Sequence, residues 1–138
     1  MSEEQQDGCD EIGCGTDREL AIRTTLLPKD TNPGGTIFGG VILSLIDQAG
    51  EIAMRRINPH RRYVTVAMDK IQFHSPVYVG DLISLYTCSA TVGTTSVSIQ
   101  VDVLVERRDR PGSEIRVTEA KVTFVAIGGD GKPIPVRG

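Results

Sequence analysis

The chain has 138 residues, 39% of them hydrophobic and 24% charged, with no tryptophan and a formal net charge of -3. That balance is ordinary for one globular domain and excludes disordered and collagenous chains. No apolar run approaches the roughly 20 residues of a membrane helix.

The charge is unevenly placed. Residues 1 to 19 carry seven acids against Arg18 alone, a local -6 that leaves +3 on the remainder. Such an acidic leader without aromatics cannot bury enough apolar surface to order itself, so residues 1–17 are expected to form a disordered tail and 18–138 a single domain. A mildly basic body suits a small anionic ligand. A pI near 5.3, and basic residues that do not interleave with aromatics, count against nucleic acid. The start lacks the basic and apolar regions of a signal peptide, which makes the expected location cytoplasmic. Cys9 and Cys14 fall in the tail, and with Cys88 the count is odd. Reduced thiols are therefore expected, without a four-ligand zinc site.

In chain order, RELAIRTTLL (18–27) reads as a first strand stopped by Pro28, and PKDTNPGGT (28–36) as a loop. From Gly39 to Ile57 apolar residues recur at helical spacing, and Ser44, Asp47, Gln48, Glu51 and Arg55 form one polar stripe. NPHRR (58–62) ends that helix. Four strands follow: 63–73, 81–92, a third in which Val97, Ile99, Val101, Val103 and Val105 alternate with Ser98, Gln100 and Asp102, and 116–127. Short turns between them favour an antiparallel meander. The fold class is α+β, a five-stranded antiparallel sheet wrapped around one long helix, since only that helix is long enough to cover the apolar face.

The head of the helix is chemically suggestive. Phe38, Gly39 and Gly40 stand where a Ser, Thr, Asp or Asn cap is usual, leaving first-turn N–H groups available at the positive end of the helix dipole. Bare amides of this kind suit an oxyanion hole, and a tight loop-to-helix entry packed under a strand is the competing reading. Asp47, two turns further in and flanked by Leu45 and Ile46, fits either the solvated stripe or a general base. Asn32 is able to orient a water or a carbonyl, or simply to form the turn before Pro33. No G-x-S-x-G elbow occurs, Gly40-Val41 replaces the Lys-Ser/Thr of a phosphate loop, and His74 with Cys88 makes no thiol constellation. Arg55, Arg56, Arg61, Arg62, Arg107 and Arg108 are able to meet phosphate, with solvated loop charge as the alternative.

DTNPGGTIFGGVILSLIDQAG, VTVAMDKIQFHSPVYVGD, GTTSVSIQVDV and TEAKVTFVAI resemble, in order and spacing, the hotdog-fold acyl-CoA thioesterases, most closely the small bacterial YciA type. The likeness spans about residues 18–136. It implies hydrolysis of acyl-CoA to a free carboxylic acid and coenzyme A, with no cofactor beyond the coenzyme A of the substrate. It also implies homodimers, assembled as trimers of dimers into hexamers, with no membrane insertion. By motif match Asp47 is the general base or nucleophile, Asn32 of the partner subunit positions water or carbonyl, and Gly39 and Gly40 supply the oxyanion donors. Phe38 stands where the family often has histidine. The resemblance further places Phe38, Thr65, Val66, Lys70, His74, Ser75, Pro76, Gly93, Thr94, Thr95 and Ser96 along the substrate and coenzyme A path. Two rivals remain: a non-catalytic acyl-CoA sensor, and a hydratase suggested by Asp30-Thr31-Asn32-Pro33, whose histidine position is held by Gly35.

Overall fold

The computed structural model describes residues 17–137, so the expected tail lies outside the described residues apart from Asp17. Strand β1 covers Glu19–Thr24 and helix α1 covers Gly39–Ile57. Strands β2 to β5 follow at Arg62–Phe73, Leu82–Val92, Ser96–Glu106 and Glu114–Ile127. The helix begins and ends where its periodicity predicts, and the strands lie within a few residues of expectation. β1 stops at Thr24, short of Pro28, and a 3-10 turn occupies Pro28–Asp30 in the loop.

The five strands form one antiparallel sheet in the order β1-β3-β4-β5-β2. The meander therefore holds only for β3-β4-β5. β2 pairs with β5, from Arg62 opposite Ile127 to Phe73 opposite Thr118, and not with its chain neighbour β3. The eight residues 74–81 carry the chain from one edge to the interior of the sheet, three inter-strand steps of about 4.8 Å that an extended segment spans with length to spare. What reads as a short turn is a crossing.

α1 packs against all five strands. Its Ile42, Ile46, Ala49 and Met54 are buried against Ile83, Leu85, Val97, Ile99, Val101 and Val122 of the sheet. Burying each large side chain contributes about 1.5–3 kcal/mol. At the centre, Gly50 lets helix and sheet approach: a Cβ there would stand 2.7 Å from Phe124 Cε2. The alternation of β4 is observed, with one departure. Asp102, expected to face solvent, is only 3% exposed and lies opposite Glu119, which is 4% exposed. Arg116 reaches both, at 3.7 and 3.3 Å.

β2 is an edge strand and unusually bare. Val64, Val66 and Phe73 are 41%, 55% and 53% exposed. Its register shifts between Asp69 and Gln72, where Lys70 takes the left-handed conformation (φ 54°) of a bulge.

Candidate active site

The start of α1 is uncapped by any side chain. Phe38 occupies the N-cap position in an extended conformation (φ -61°, ψ 132°), and the first turn carries no acid. The entry is held from outside the helix, because Ile37 N–H donates to the Val77 carbonyl (2.8 Å) and Phe38 N–H to that of Asp30 (2.9 Å). Close packing does not demand the glycine at 39: a Cβ there meets nothing nearer than Phe73 Cζ at 3.6 Å. At Gly40 the nearest atom is Phe38 Cε2, 3.3 Å away on an exposed ring. The tight-entry reading thus finds little support, since both glycines have only aromatic side-chain atoms within 4 Å of where a Cβ would stand.

A cleft of about 340 Å³ opens beside them, with Gly39, Ile42, Phe73, His74, Pro76 and Thr118 among its lining residues. Ser75 lines it too, so the three expected residues 74–76 join Gly39. His74 Nε2 lies 2.7 Å from Oε2 of the buried Glu119, which fixes the ring. Thr118 Oγ1 is buried without a partner among the described residues. Sequence reading missed Thr118 and Glu119, since nothing in the alternation of β5 marks them. Only the pairing of Phe73 with Thr118 brings them to the helix start.

Asn32 organises the loop before the helix. Its Oδ1 accepts the N–H groups of Gly34 (2.8 Å) and Thr36 (3.3 Å), and its Nδ2 donates to Thr36 Oγ1 (2.9 Å). The turn-forming role is thus real, and it leaves the second amide hydrogen of Nδ2 as the group able to meet a ligand.

Asp47 stands elsewhere. It lies eight residues beyond Gly39, about 12 Å along the helix axis, half-buried. The Thr65 hydroxyl on β2 donates to its Oδ1 at 2.5 Å. Thr65 pairs with Phe124, and Ser96 with Val125, so Asp47, Thr65 and the turn from Gly93 through Thr94 and Thr95 to Ser96 share one end of the sheet. Phe73 pairs with Thr118, six residues before Phe124 on β5 and so about 20 Å away along that strand. Within one chain the expected site therefore divides. Asn32, Phe38, Gly39, Gly40, His74, Ser75 and Pro76 form one group, and Asp47, Thr65 and Gly93–Ser96 the other. Val66 and Lys70 lie exposed on the edge strand between them.

A family model described as the thioesterase superfamily matches residues 34–111, a span that includes the glycine pair, Asp47, Thr65 and the crossing segment. The chain belongs to the thioesterase superfamily. That membership bears out the expected thioester-hydrolase class and the hotdog fold. The acyl-CoA thioester hydrolase YciA of Salmonella typhimurium is 41% identical over 124 residues, covering 87% of this chain and 92% of the relative. A hexameric hotdog-fold thioesterase of Campylobacter jejuni is 49% identical, with a TM-score of 0.77 over 85% of this chain and 89% of that one. An aspartate-to-alanine mutant of HI0827, a hexameric broad-specificity acyl-coenzyme A thioesterase, is 37% identical, with a TM-score of 0.79 and 86% of each chain covered. Among the described residues of this thioesterase, no helix is long and apolar enough to cross a membrane.

Proposed function

We propose that the chain hydrolyses acyl-CoA to a free carboxylic acid and coenzyme A, at sites completed by two copies of itself. The observation that carries this reading is the bare helix start at Gly39 and Gly40, opening on a cleft with no side-chain cap to compete for its amides. A thioester carbonyl seated there develops negative charge as a tetrahedral intermediate forms, and preorganised N–H donors at the positive helix end stabilise that charge. Asp47 takes a proton from water as the water oxygen attacks the carbonyl carbon. Collapse of the intermediate expels the coenzyme A thiolate, which gains a proton to leave as thiol. Direct attack by the carboxylate, through an anhydride that water then opens, uses the same groups.

Asp47 of one chain is too far along its helix to serve the amides of that same chain, which supports a second copy as its source. Asn32 and the glycine pair would come from one protomer and Asp47 with Thr65 from the other. The edge strand β2 supports such pairing, because its exposed Val64 and Val66 and its unpaired backbone would be covered by an antiparallel β2 of a partner. Similar proteins described as hexameric support trimers of such dimers. That an aspartate was the residue replaced in one of them supports a carboxylate as the active group.

The test is thiol release from acyl-CoA of several chain lengths by the intact chain and by Asp47→Ala. The parent should turn over, and the variant, with assembly unchanged, should lose about 10²- to 10⁴-fold in kcat. A parent that binds acyl-CoA without releasing thiol would instead support the sensor reading. A variant that turns over at the parent rate removes Asp47 from the mechanism.

A further inference from the structure

Thr118 is out of keeping with its surroundings. On β5 the residues Ala120, Val122, Phe124 and Ala126 belong to the apolar core beneath the helix, and Thr118 extends that row by one step of the strand period. It is fully buried, and its Oγ1 is the one buried side-chain polar atom left without a hydrogen-bond partner among the described residues. An unpaired hydroxyl in such a place destabilises the fold, and valine, similar in shape, would continue the row without that penalty. No neighbour takes the hydroxyl up. Glu119, next in the chain, is engaged by His74 Nε2 at 2.7 Å and by Arg116 at 3.3 Å, and the residues opposite Thr118 on the flanking strands are Phe73 and Val103.

What Thr118 does line is the cleft of about 340 Å³ beside the helix start. Ile37, Ile42 and Val77 form its buried apolar wall, whereas Phe73 is exposed at 53%. Thr118, at 0%, therefore belongs to the floor and not to the mouth. Gly39 lines the same cleft, and Phe73, the strand partner of Thr118, reaches within 3.6 Å of where a Gly39 Cβ would stand. A thioester carbonyl on the Gly39 and Gly40 amides would thus bring the first carbons of its acyl chain to Thr118. The volume is at the small end of the roughly 300–1,000 Å³ of ligand sites, which suits a short chain. A plain alkyl chain would seal the hydroxyl off with nothing to bond. A hydroxyl on the chain would both donate to it and accept from it. Sites built to hydrogen-bond a substrate hydroxyl reject the analogue that lacks it, because a protein group is then left unpaired.

We propose that Thr118 is a specificity-determining residue whose Oγ1 hydrogen-bonds a hydroxyl close to the carbonyl of a short acyl group, so that hydroxyacyl thioesters are preferred over plain alkanoyl ones. The proposal rests on the acyl-CoA hydrolysis put forward above and names the class of acyl group that it favours.

Calorimetric titration of the full chain with methylene-for-sulfur analogues of butanoyl-CoA, 2-hydroxybutanoyl-CoA and 3-hydroxybutanoyl-CoA measures the preference without turnover. The parent should bind at least one hydroxylated analogue about tenfold more tightly than the plain one, Thr118→Val should lose that preference, and Thr118→Ser should keep most of it. The melting temperature of Thr118→Val should stay the same or rise, since the fold loses no hydrogen bond. Equal preference in the parent and valine chains, no preference in the parent, or a valine chain that melts lower overturns the proposal. Thiol release from the three corresponding thioesters separates this proposal from the reading beneath it. A parent that shows the binding preference but releases no thiol defeats the hydrolysis and leaves the role of Thr118 standing. A parent that releases thiol from all three, with equal affinity for the three analogues, keeps the hydrolysis and removes that role.

Discussion

Gly39 separates chemistry from packing more sharply than any other residue in the chain. A methyl group there has room, with Phe73 Cζ its nearest neighbour at 3.6 Å, and alanine is favoured over glycine within a helix by up to about 1 kcal/mol. Gly39→Ala should therefore leave the melting temperature unchanged or raise it. Its kcat/KM should nevertheless fall by about 10² or more, because the carbonyl oxygen of the substrate loses its close approach to the amides. Parallel thermal unfolding and thiol-release measurements check the two halves of this expectation. Thr65 shows what side-chain chemistry alone does not announce. Its identity is unremarkable in a strand, and only the fold brings its hydroxyl to Asp47.

At the level of elements, the helix was legible because its 3.6-residue period runs unbroken between a glycine pair and Asn58-Pro59. β4 was equally legible from its alternating valines. Strand order was not. Periodicity records which face a strand buries and carries no information about its neighbour, so β2 was expected beside β3 and is found beside β5. The burial of Asp102 and Glu119 was hidden for a related reason, since their environment is made by a partner strand and by Arg116 rather than by their own segment. Gly50 gives this level its test. Placing a methyl group 2.7 Å from Phe124 Cε2 overpacks the contact between helix and sheet. Gly50→Ala should cost about 1–3 kcal/mol of stability, read as a lowered denaturation midpoint.

At the level of the whole molecule, a lone copy exposes an apolar edge and holds its two groups of expected site residues apart. Val66→Lys puts a charge in the middle of that edge, where a monomer tolerates it and a β2-to-β2 dimer does not. Light scattering should find smaller species, circular dichroism an unchanged fold, and the thiol assay little activity. A variant that stays fully assembled and active would place the dimer contact elsewhere. The sequence offered the candidate residues, through resemblance and the glycine pair, and the resemblance already assigned Asn32 to a partner subunit; that the glycine pair falls with Asn32 and away from Asp47 was not legible, since that follows from register along β5. The position of β5 has a bearing on synthesis too. β5, the last of the five strands in chain order, sits between β4 and β2, and Arg62 and Ile127, adjacent in the sheet, are 65 residues apart in sequence. Such distant pairing is slow to form, so the part of the apolar helix that β5 and β2 cover stays open until β5 has been made, and a chain truncated before Glu114 would leave β2 without the strand it pairs with among the described residues.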